Sequence, residues 1–474
     1  KFVAAADLDP ATRYVPPRVA PSNRGGFPQK VAIVGAGPAG LSCAYYLAEK
    51  GYAPTVFDRN PRPGGMLSYG IPSFKLEQDV IDAEIDVMAQ MGVEFRLGVD
   101  VGSEVTLDEL REQGYDAFYL AVGCQGSRSA GIPGEDADRV SSAVDFLHRA
   151  AEGGLDGASL GRTVVVGGGN VAVDVARTAA RAGAASVEMR CLERRGEMPA
   201  SDEEVEEAVE DGVTLSCGWG PAEVRVGADG SVASVVFKRC VRVTDDEGRF
   251  SPVYDESDTE EVPCDTLVLS IGQAVEWGAL LEGSAVELGR GGSPVVDPVT
   301  YQTAEPDVFC GGDVVTGPRF AIDAIAQGHE AAVSIHRYVH PCSSLTVGRN
   351  PRFYVELDKD DAVLPSYDTS SRQRPARRAG SGGPFREYAG TLTEEQVRAE
   401  TARCLFCGAS WVDPNQCIGC GLCTTRCEFD AIHLVRDHPE ASRMVRSEDK
   451  LKAIGPYALK RAAKIAVRKI RREV

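Results

Sequence analysis

Six of the fourteen cysteines crowd together near the end of the chain, and their spacing is typical of a metal-binding segment. Cys417, Cys420, Cys423 and Cys427 follow the pattern Cys-x2-Cys-x2-Cys-x3-Cys. In bacterial ferredoxins this pattern supplies three closely spaced thiolates to one [4Fe-4S] cluster. Because such a cluster accepts one electron at a time, the segment indicates electron transfer.

The number of clusters stays open, because a second cysteine pair lies upstream. Cys404 and Cys407 begin a similar run, but Ser410 and Pro414 occupy its third and fourth positions. We expect one cluster on the first three cysteines of the complete run, with a fourth ligand from Cys427 or from the upstream pair. A second cluster would use Cys404, Cys407, Cys427 and a non-cysteine or partner-supplied ligand. Two Cys-x2-Cys pairs also fit a structural zinc site.

A glycine-rich turn near the start of the chain has the spacing that binds a dinucleotide pyrophosphate. Residues 31–34 form an apolar run that predicts a strand, and an amphipathic segment after the turn predicts a helix. The turn reads Gly35-Ala36-Gly37-Pro38-Ala39-Gly40. Glycine at 35 permits the tight turn, glycine at 37 admits the phosphates, and glycine at 40 lets helix and strand pack closely. Asp58 closes the next strand, where its carboxylate is placed to bond the adenosine ribose.

The same strand, glycine turn and helix return in the middle of the chain. A strand-like run at 163–166 leads into a second turn, and another strand is predicted at 186–192. The second turn reads Gly167-Gly168-Gly169-Asn170-Val171-Ala172, a GxGxxA variant of the motif. Two nucleotide-binding folds are therefore predicted. Between residues 224 and 262, short β-rich runs alternate with turns and predict hairpins that elaborate the second fold.

Two further segments carry a resemblance to a known family. They are the run from Pro63-Gly64-Gly65-Met66-Leu67 to Gly70-Ile71-Pro72 and the run Cys310-Gly311-Gly312-Asp313 to Pro318. Over about residues 30–340 the chain resembles the flavoprotein family of the glutamate synthase small subunit. Similar domains occur in dihydropyrimidine dehydrogenase and in the large subunit of NADH-dependent ferredoxin:NADP oxidoreductase. The resemblance implies FAD at the first glycine motif and NAD(P)H at the second.

The resemblance also implies further contacts with both cofactors. Residues 64–67 would lie along the isoalloxazine, near Ile71, and Asp313, beside Gly312, would bind the ribityl–pyrophosphate region. Ile322 would mark the helix N-terminus at the N1–C2=O edge of the flavin. The remaining implied contacts are Ala121 and Gly123 for FAD and Gly272 for the nicotinamide dinucleotide. Hydride transfer between the two cofactors needs only stacking and orientation, so no catalytic side chain is predicted.

The end of the strand after the second motif predicts which nicotinamide dinucleotide is used. An acidic residue there bonds the ribose 2′-hydroxyl of NADH, whereas arginines accept the 2′-phosphate of NADPH. In NADPH-using relatives a Tyr-Arg-Arg segment precedes a Met-Pro pair; here Glu193 stands where an arginine would face the phosphate. We therefore expect NADH to be preferred. NADPH remains an alternative, because Arg194 and Arg195 follow immediately and could reach its 2′-phosphate.

Composition limits the other classes of function. The net charge of −19 argues against nucleic-acid binding, which needs a clustered basic face. No stretch approaches about 20 uninterrupted apolar residues, so no membrane span and a cytoplasmic location are expected. The chain begins with lysine, and whether a segment precedes this residue is left open. Residues 1–340 contain no Cys-x2-Cys or Cys-x4-Cys pair, which disfavours a disulfide-reductase mechanism.

The predicted fold is α/β, with two Rossmann-like dinucleotide-binding domains of the three-layer ββα type and a small α+β ferredoxin-like module. The predicted segments run in this order: an arm at 1–29, a discontinuous FAD domain at 30–155 and 265–341, an NAD(P)H domain at 156–264, a linker at 342–390, the cluster module at 391–440 and a basic tail at 441–474. From Lys450 the tail has the pattern of a basic amphipathic helix, which favours docking on an acidic surface over membrane binding.

FAD is the component that can accept two electrons from a nicotinamide and release them singly to a cluster. The chain is therefore expected to be an oxidoreductase subunit whose partner is ferredoxin or a catalytic subunit of a larger redox complex. A glutamate synthase small subunit fed by NADPH remains an alternative, although that subunit carries its clusters before the flavin fold. A non-catalytic assembly subunit is the other alternative. The sequence leaves the direction of electron flow and electron bifurcation open.

Overall fold

The computed structural model of the chain describes residues 1–11, 13–16, 26–340, 343–349, 370–376, 383–387, 389–404, 417–426, 432–434, 445 and 447–470. These residues belong to two compact units, Lys1–Leu405 and Phe406–Val474. Cys407 and Cys427, both predicted as cluster ligands, lie outside the described residues.

The described strands are β1 Lys30–Val34, β2 Thr55–Asp58, β3 Glu94–Leu97, β4 Tyr115–Leu120, β5 Gly126–Ser127, β6 Val140–Ser142, β7 Arg162–Val166, β8 Ser186–Cys191, β9 Thr214–Cys217, β10 Trp219–Val226, β11 Val232–Thr244, β12 Phe250–Pro263, β13 Thr266–Leu269, β14 Gln273–Ala274 and β15 Val308–Cys310.

The described α-helices are α1 Phe2–Ala6, α2 Pro38–Lys50, α3 Met66–Tyr69, α4 Gln78–Gln90, α5 Leu107–Glu112, α6 Ala143–Ala151, α7 Gly157–Leu160, α8 Asn170–Ala182, α9 Asp202–Glu210, α10 Asp313–Thr316, α11 Ala321–Tyr338, α12 Glu394–Ala402, α13 Leu422–Arg426 and α14 Lys450–Ile470.

The first nucleotide-binding fold is a parallel sheet in the order β15-β4-β1-β2-β3. Its central strand β1 is a Val-Ala-Ile-Val run that is buried on both faces, as expected for a parallel strand covered by helices. Helix α2 starts with Pro38, whose fixed φ suits a first helical turn, and stops at Gly51 in the left-handed conformation (φ 105°). The turn at 35–37 is thus held between two well-defined elements.

The second fold is a parallel sheet in the order β6-β13-β7-β8-β9. Helices α6, α8 and α9 pack on one face of it, and the antiparallel sheet β10-β11-β12 packs on the other through Trp219 and Phe237. This confirms the three-layer ββα architecture and the predicted hairpins.

The boundaries between the two folds differ from the predicted ones. The sequence assigned residues 30–155 and 265–341 to the first fold, but β6 and β13 pair within the second sheet. The physical reason is that β13 has an apolar pattern that fits either sheet, whereas β6 is a partly buried Val-Ser-Ser segment with no apolar pattern of its own. The chain passes between the folds through the two-stranded pairing of β5 with β14.

The predicted arm and tail both contain helices. Arg13 of the arm donates to the Ala83 carbonyl oxygen at 2.9 Å and pairs with Asp86, so this part of the arm lies on α4. The predicted basic helix of the tail is present as α14. Among the described residues, no helix combines the length and the apolar character that crossing a membrane requires.

Candidate functional site

A cavity opens at the carboxyl edge of the first sheet, and the first glycine motif forms its wall. The predicted flavin residues on this wall are Gly35, Gly37, Pro38, Ala39, Asp58, Gly65, Met66, Leu67, Ile71, Ala121, Gly123, Gly312 and Asp313. The carboxyl edge of a parallel sheet is where such folds bind their ligands. The structure therefore gathers most of the predicted flavin contacts around one space.

The glycines of the first motif divide into two kinds. A Cβ built on Gly37 would meet nothing within 4 Å, so its bare backbone borders open space at the N-terminus of α2. A Cβ on Gly40 would lie 1.9 Å from the Gly35 carbonyl oxygen, so that glycine serves helix–strand packing. The open backbone of Gly37 thus lies beside a helix N-terminus, which favours an anion.

Asp58 is held at the cavity wall by the backbone. Its Oδ2 accepts from the Ala36 N–H at 2.7 Å and its Oδ1 from the Asn60 N–H at 2.8 Å. Burial raises the pKa of Asp58, and these two hydrogen bonds oppose that rise. Each carboxylate oxygen keeps a further lone pair. The fixed carboxylate is therefore suited to accept a hydrogen bond from a ribose hydroxyl.

The predicted isoalloxazine loop comes close to the first motif. A Cβ on Gly65 would lie 2.8 Å from Gly37 Cα, which shows how tightly the two backbones approach. Met66 and Leu67 follow on the cavity wall. Gly64 is not on the wall; a Cβ there would meet Ser68 Oγ at 2.0 Å, so this glycine shapes the turn itself.

The segment around Asp313 also lines the cavity, next to the start of α2: the Cβ position of Gly312 is 2.8 Å from Ala39 Cβ. Asp313 Oδ1 accepts from the Arg319 N–H at 3.3 Å, and burial raises the pKa of Asp313 to about 6. The Ile322 side chain is 67% exposed and absent from the wall, where Ala321 and Ala324 stand instead. Any contact of Ile322 with a flavin is therefore limited to its backbone at the start of α11.

The second glycine motif also combines an open glycine with a packed one. A Cβ on Gly169 would meet nothing within 4 Å, whereas one on Gly167 would lie 2.3 Å from the Ser270 carbonyl oxygen. Asn170 begins α8 and accepts from the Ser201 N–H at 3.0 Å; Ala172 is fully buried in the core beneath. Gly169 is thus the open glycine of this motif, as Gly37 is of the first.

The residues expected to select the nicotinamide dinucleotide lie in the turn after β8. Glu193 folds back over the motif: its Oε2 is 2.6 Å from the Cβ position of Gly168. Arg194 and Arg195 are exposed, and Arg195 Nη1 pairs with Asp202 at 3.1 Å. Gly272, the other predicted contact, takes a left-handed conformation (φ 123°) beside Arg128.

An ionic contact between the two folds was not predicted from the sequence. Lys75, from the loop that follows the flavin segment, pairs with Asp174 of α8 and lies 2.8 Å from Glu204 Oε2. The ring of Phe74 is fully buried beneath the guanidinium groups of Arg177 and Arg181. Asp174, with Val171, also lines the flavin cavity, so the helix of the second motif reaches the site of the first.

Asp174 is a buried carboxyl group within this contact, and its pKa is shifted. Burial raises the pKa of Asp174 to about 6, and the Lys75 ammonium opposes that rise. The sequence signal that was overlooked is the placement of Asp174 and Arg177, three residues apart, inside the otherwise apolar run of α8.

Part of the predicted linker packs on both folds. The Pro384 carbonyl oxygen accepts from Arg181 Nη1 at 3.0 Å, and the Phe385 carbonyl oxygen accepts from Ser73 Oγ at 2.8 Å. The Glu387 N–H donates to Glu77 Oε1 at 3.2 Å. Residues 383–387 therefore form a strap, a name used here for this segment alone, across the seam between the folds.

The cysteine segment is described in part. Cys417, Cys420 and Cys423 are exposed, and the left-handed Gly419 (φ 64°) and Gly421 (φ 74°) turn the chain between them. Among the described residues, no three His, Cys, Asp or Glu side chains are close enough to hold a metal ion. The donor type and spacing fit a [4Fe-4S] cluster. Cys404 is exposed after α12.

Two family profiles match the chain. That of pyridine nucleotide-disulphide oxidoreductase matches residues 29–328, and that of the 4Fe-4S binding domain matches residues 410–433. Together they confirm FAD, a nicotinamide dinucleotide and a [4Fe-4S] cluster as the cofactors. They leave no support for the zinc interpretation.

Curated relatives and a solved structure agree with these matches. The chain is 39% identical over 397 residues to the NADP(+)-dependent formate dehydrogenase subunit beta of Moorella thermoacetica, covering 80% of this chain and 54% of that one. It is 37% identical over 333 residues to the glutamate synthase [NADPH] small chain of Escherichia coli, covering 66% and 69%. FprA of Mycobacterium tuberculosis, solved with NADPH, shares the fold with a TM-score of 0.56 and 22% identity over 66% of this chain and 85% of that one.

The comparisons confirm the resemblance to the glutamate synthase small subunit but do not support the predicted cofactor preference. The expectation that NADH is preferred is not supported, because these two relatives are named for NADP(+) and NADPH. In the structure Glu193 lies against the glycine turn, and the two arginines that follow it are exposed. The chain spans about half the length of the first curated relatives it matches.

Proposed function

The chain belongs to the pyridine nucleotide-disulphide oxidoreductase family, and from that membership we propose that it carries electrons between NADPH and a partner protein of a larger redox complex. The observation that supports this most is the shared cavity wall. Val171 and Asp174, on the helix of the second glycine motif, line the cavity of the first. A nicotinamide and a flavin bound at the two motifs would therefore meet without a domain having to move far.

The first motif binds FAD in this proposal. Gly37 gives the pyrophosphate a bare backbone, Gly35 and Gly65 let the neighbouring backbones approach closely, and Asp58 accepts a hydrogen bond from the adenosine ribose. Met66, Leu67, Ile71, Ala121 and Gly123 form the wall along the flavin ring, with Gly312 and Asp313 at its ribityl chain. Bound FAD accepts two electrons together and releases them one at a time. The protein contributes orientation and exclusion of water, because it presents apolar side chains on most of this wall.

The second motif binds NADPH. Gly169 and the start of α8 receive the pyrophosphate, and Arg194 pairs with the 2′-phosphate. Among the described contacts, Arg194 has no carboxylate partner in the ion pairs of this turn, whereas Arg195 is paired with Asp202. An exposed guanidinium beside a glycine turn suits bidentate recognition of a phosphate.

The cysteine segment carries electrons onward from the flavin. Cys417, Cys420 and Cys423 hold one [4Fe-4S] cluster, with the fourth ligand from Cys427 or from Cys404 and Cys407. The partner is ferredoxin or a catalytic subunit of a redox complex. The beta-subunit name of the Moorella relative favours a catalytic partner.

Anaerobic titration of the full chain tests the proposal. NADPH should bleach the flavin absorbance at lower concentration than NADH, and co-purification should recover the partner. The small-chain relatives keep glutamate synthase as the second candidate, which co-purification of a glutamine-hydrolysing subunit would support. A chain that binds FAD but bleaches with neither nucleotide would instead be a non-catalytic assembly subunit.

A further inference from the structure

Two thiols stand side by side at the carboxyl edge of the second sheet. Cys191 ends β8 and Cys217 ends β9, and the two residues are direct partners in the register of these parallel strands. Their side chains therefore lie next to each other on one face of the sheet. Cys191 is 1% exposed, whereas Cys217 is partly exposed.

The spacing of the strands suits a disulfide between these two residues. Neighbouring strands lie about 4.8 Å apart, inside the Cα separation of about 4.4–6.8 Å that disulfides require. Strand β9 is the edge of its sheet, with β8 as its only neighbour in the described sheet order. It can therefore shift by a fraction of an ångström without breaking a second ladder of hydrogen bonds.

The pair lies directly under the second glycine motif. Cys191 Cβ is 3.1 Å from the Cβ position of Gly168, and Glu193 follows it by two residues. The Gly218 N–H, next to Cys217, donates to the Glu193 carbonyl oxygen at 3.0 Å. Any shift of the two sulfur atoms toward each other is thus passed to the turn that carries Glu193 and Arg194.

We propose that Cys191 and Cys217 are a reversible disulfide site, and that forming the disulfide weakens the binding of NADPH at the second glycine motif. The coupling to NADPH rests on the proposed function. The oxidant is a low-molecular-weight disulfide. The Cys217 thiolate attacks one of its sulfurs and releases one thiol; the Cys191 thiolate then displaces the second. Two protein thiols are oxidised, the small disulfide is reduced to two thiols, and the two protein protons end on these thiols.

The order of the two steps follows from burial. Cys217 is the more accessible thiol, so it meets the small disulfide first. Burial raises the pKa of the Cys191 thiol, so Cys191 reacts slowly with a disulfide in solution. Its position beside Cys217 still lets it attack the mixed disulfide formed there.

The test uses the anaerobically purified full chain treated with oxidised glutathione. After the remaining thiols are blocked and the chain is digested with trypsin, mass spectrometry should find residues 191–194 linked to residues 196–225, two peptides that trypsin separates. The Kd for NADPH should rise about tenfold and return to its starting value after dithiothreitol. A treated chain without the linked peptide, or with the linked peptide and an unchanged Kd, overturns the proposal.

Two variants identify the thiols responsible. Cys217→Ser should keep the Kd of the reduced wild type and lose the response to oxidised glutathione. Cys240→Ser is the matched control, because Cys240 is a buried thiol whose N–H donates to the Gly218 carbonyl oxygen at 2.8 Å; it should respond as the wild type does. If the reduced wild type does not bind NADPH, the proposed function fails, while the linked peptide still reports the disulfide by itself.

Discussion

Replacing Gly37 with alanine separates the binding of FAD from the stability of the fold. Gly37 has φ −79° and ψ −179°, a conformation that alanine adopts without strain, and a Cβ there meets nothing within 4 Å. The added methyl group would instead occupy the space through which a pyrophosphate approaches the backbone. Gly37→Ala should therefore fold normally and fail to retain FAD.

The expected magnitudes follow from the same geometry. Alanine is a poorer N-cap than glycine by up to about 1 kcal/mol, but it lowers the entropy of the unfolded chain by a compensating ~0.4–1 kcal/mol. The free energy of unfolding without FAD should thus change by less than about 1 kcal/mol. FAD at 100 times its Kd stabilises a protein by about 2.7 kcal/mol. A Kd raised about 100-fold would remove nearly all of this gain.

Two measurements decide the outcome. Flavin absorbance gives the FAD content of each purified chain, and thermal unfolding with and without added FAD gives the stabilisation. Gly40→Ala is the contrasting variant: its Cβ would lie 1.9 Å from the Gly35 carbonyl oxygen, so it should lose about 1–3 kcal/mol even without FAD. A Gly37→Ala chain with the FAD content and affinity of the wild type would refute the assignment of the pyrophosphate to Gly37.

Three further predictions concern the other sites. Arg194→Ala should raise KM for NADPH about tenfold, the loss of one charged hydrogen bond, with little change for NADH in steady-state kinetics; an equal rise for both would contradict a phosphate contact. Burial raises the pKa of Asp174 to about 6, so the folded chain holds more protons than the unfolded chain between about pH 4 and 6, and stability contributed by this group falls as pH rises through that window. Asp174→Asn should flatten this slope in urea unfolding at pH 4.5 and 7, and an unchanged slope would assign it to other groups. Cys420→Ser should lower the iron content from about four per chain, measured by iron and sulfide assay beside Cys264→Ser; wild-type iron in Cys420→Ser would exclude Cys420 as a ligand.

The sequence predicted the two parallel sheets because their signals are local. The apolar run of β1 and the glycine turn after it lie within ten residues, and the same holds for β7. The placement of β6 and β13 could not be predicted in the same way. Their pairing joins residues more than a hundred positions apart. The four-residue run of β13 carries no mark of which sheet it enters, and the Val-Ser-Ser segment of β6 has no strand-like apolar pattern.

The candidate site shows the same division between local and long-range information. Spacing alone predicted that Gly37 is open to the phosphates and that Gly40 is packed between helix and strand, and the Cβ positions built on the two glycines differ in that way. Glu193 was predicted at the end of its strand and lies in the turn that follows β8. Its position against Gly168 depends on the path of that turn. The contact of Lys75 with Asp174 joins two folds: Asp174 stands out in the sequence by its place in α8, but nothing in the sequence indicates that Lys75 is its partner.

The contact between the folds bears on how hydride transfer is achieved. The reacting atoms must approach to about 3–3.5 Å, so the relative position of the two motifs matters. Rotating one fold against the other would separate Lys75 from Asp174 and Glu204 and expose the buried ring of Phe74. Leaving these partly buried carboxylates without their cation would cost about 1–3 kcal/mol. The strap at 383–387, bonded to both folds, adds to that cost. The ionic contact and the strap therefore both oppose rotation of one fold against the other.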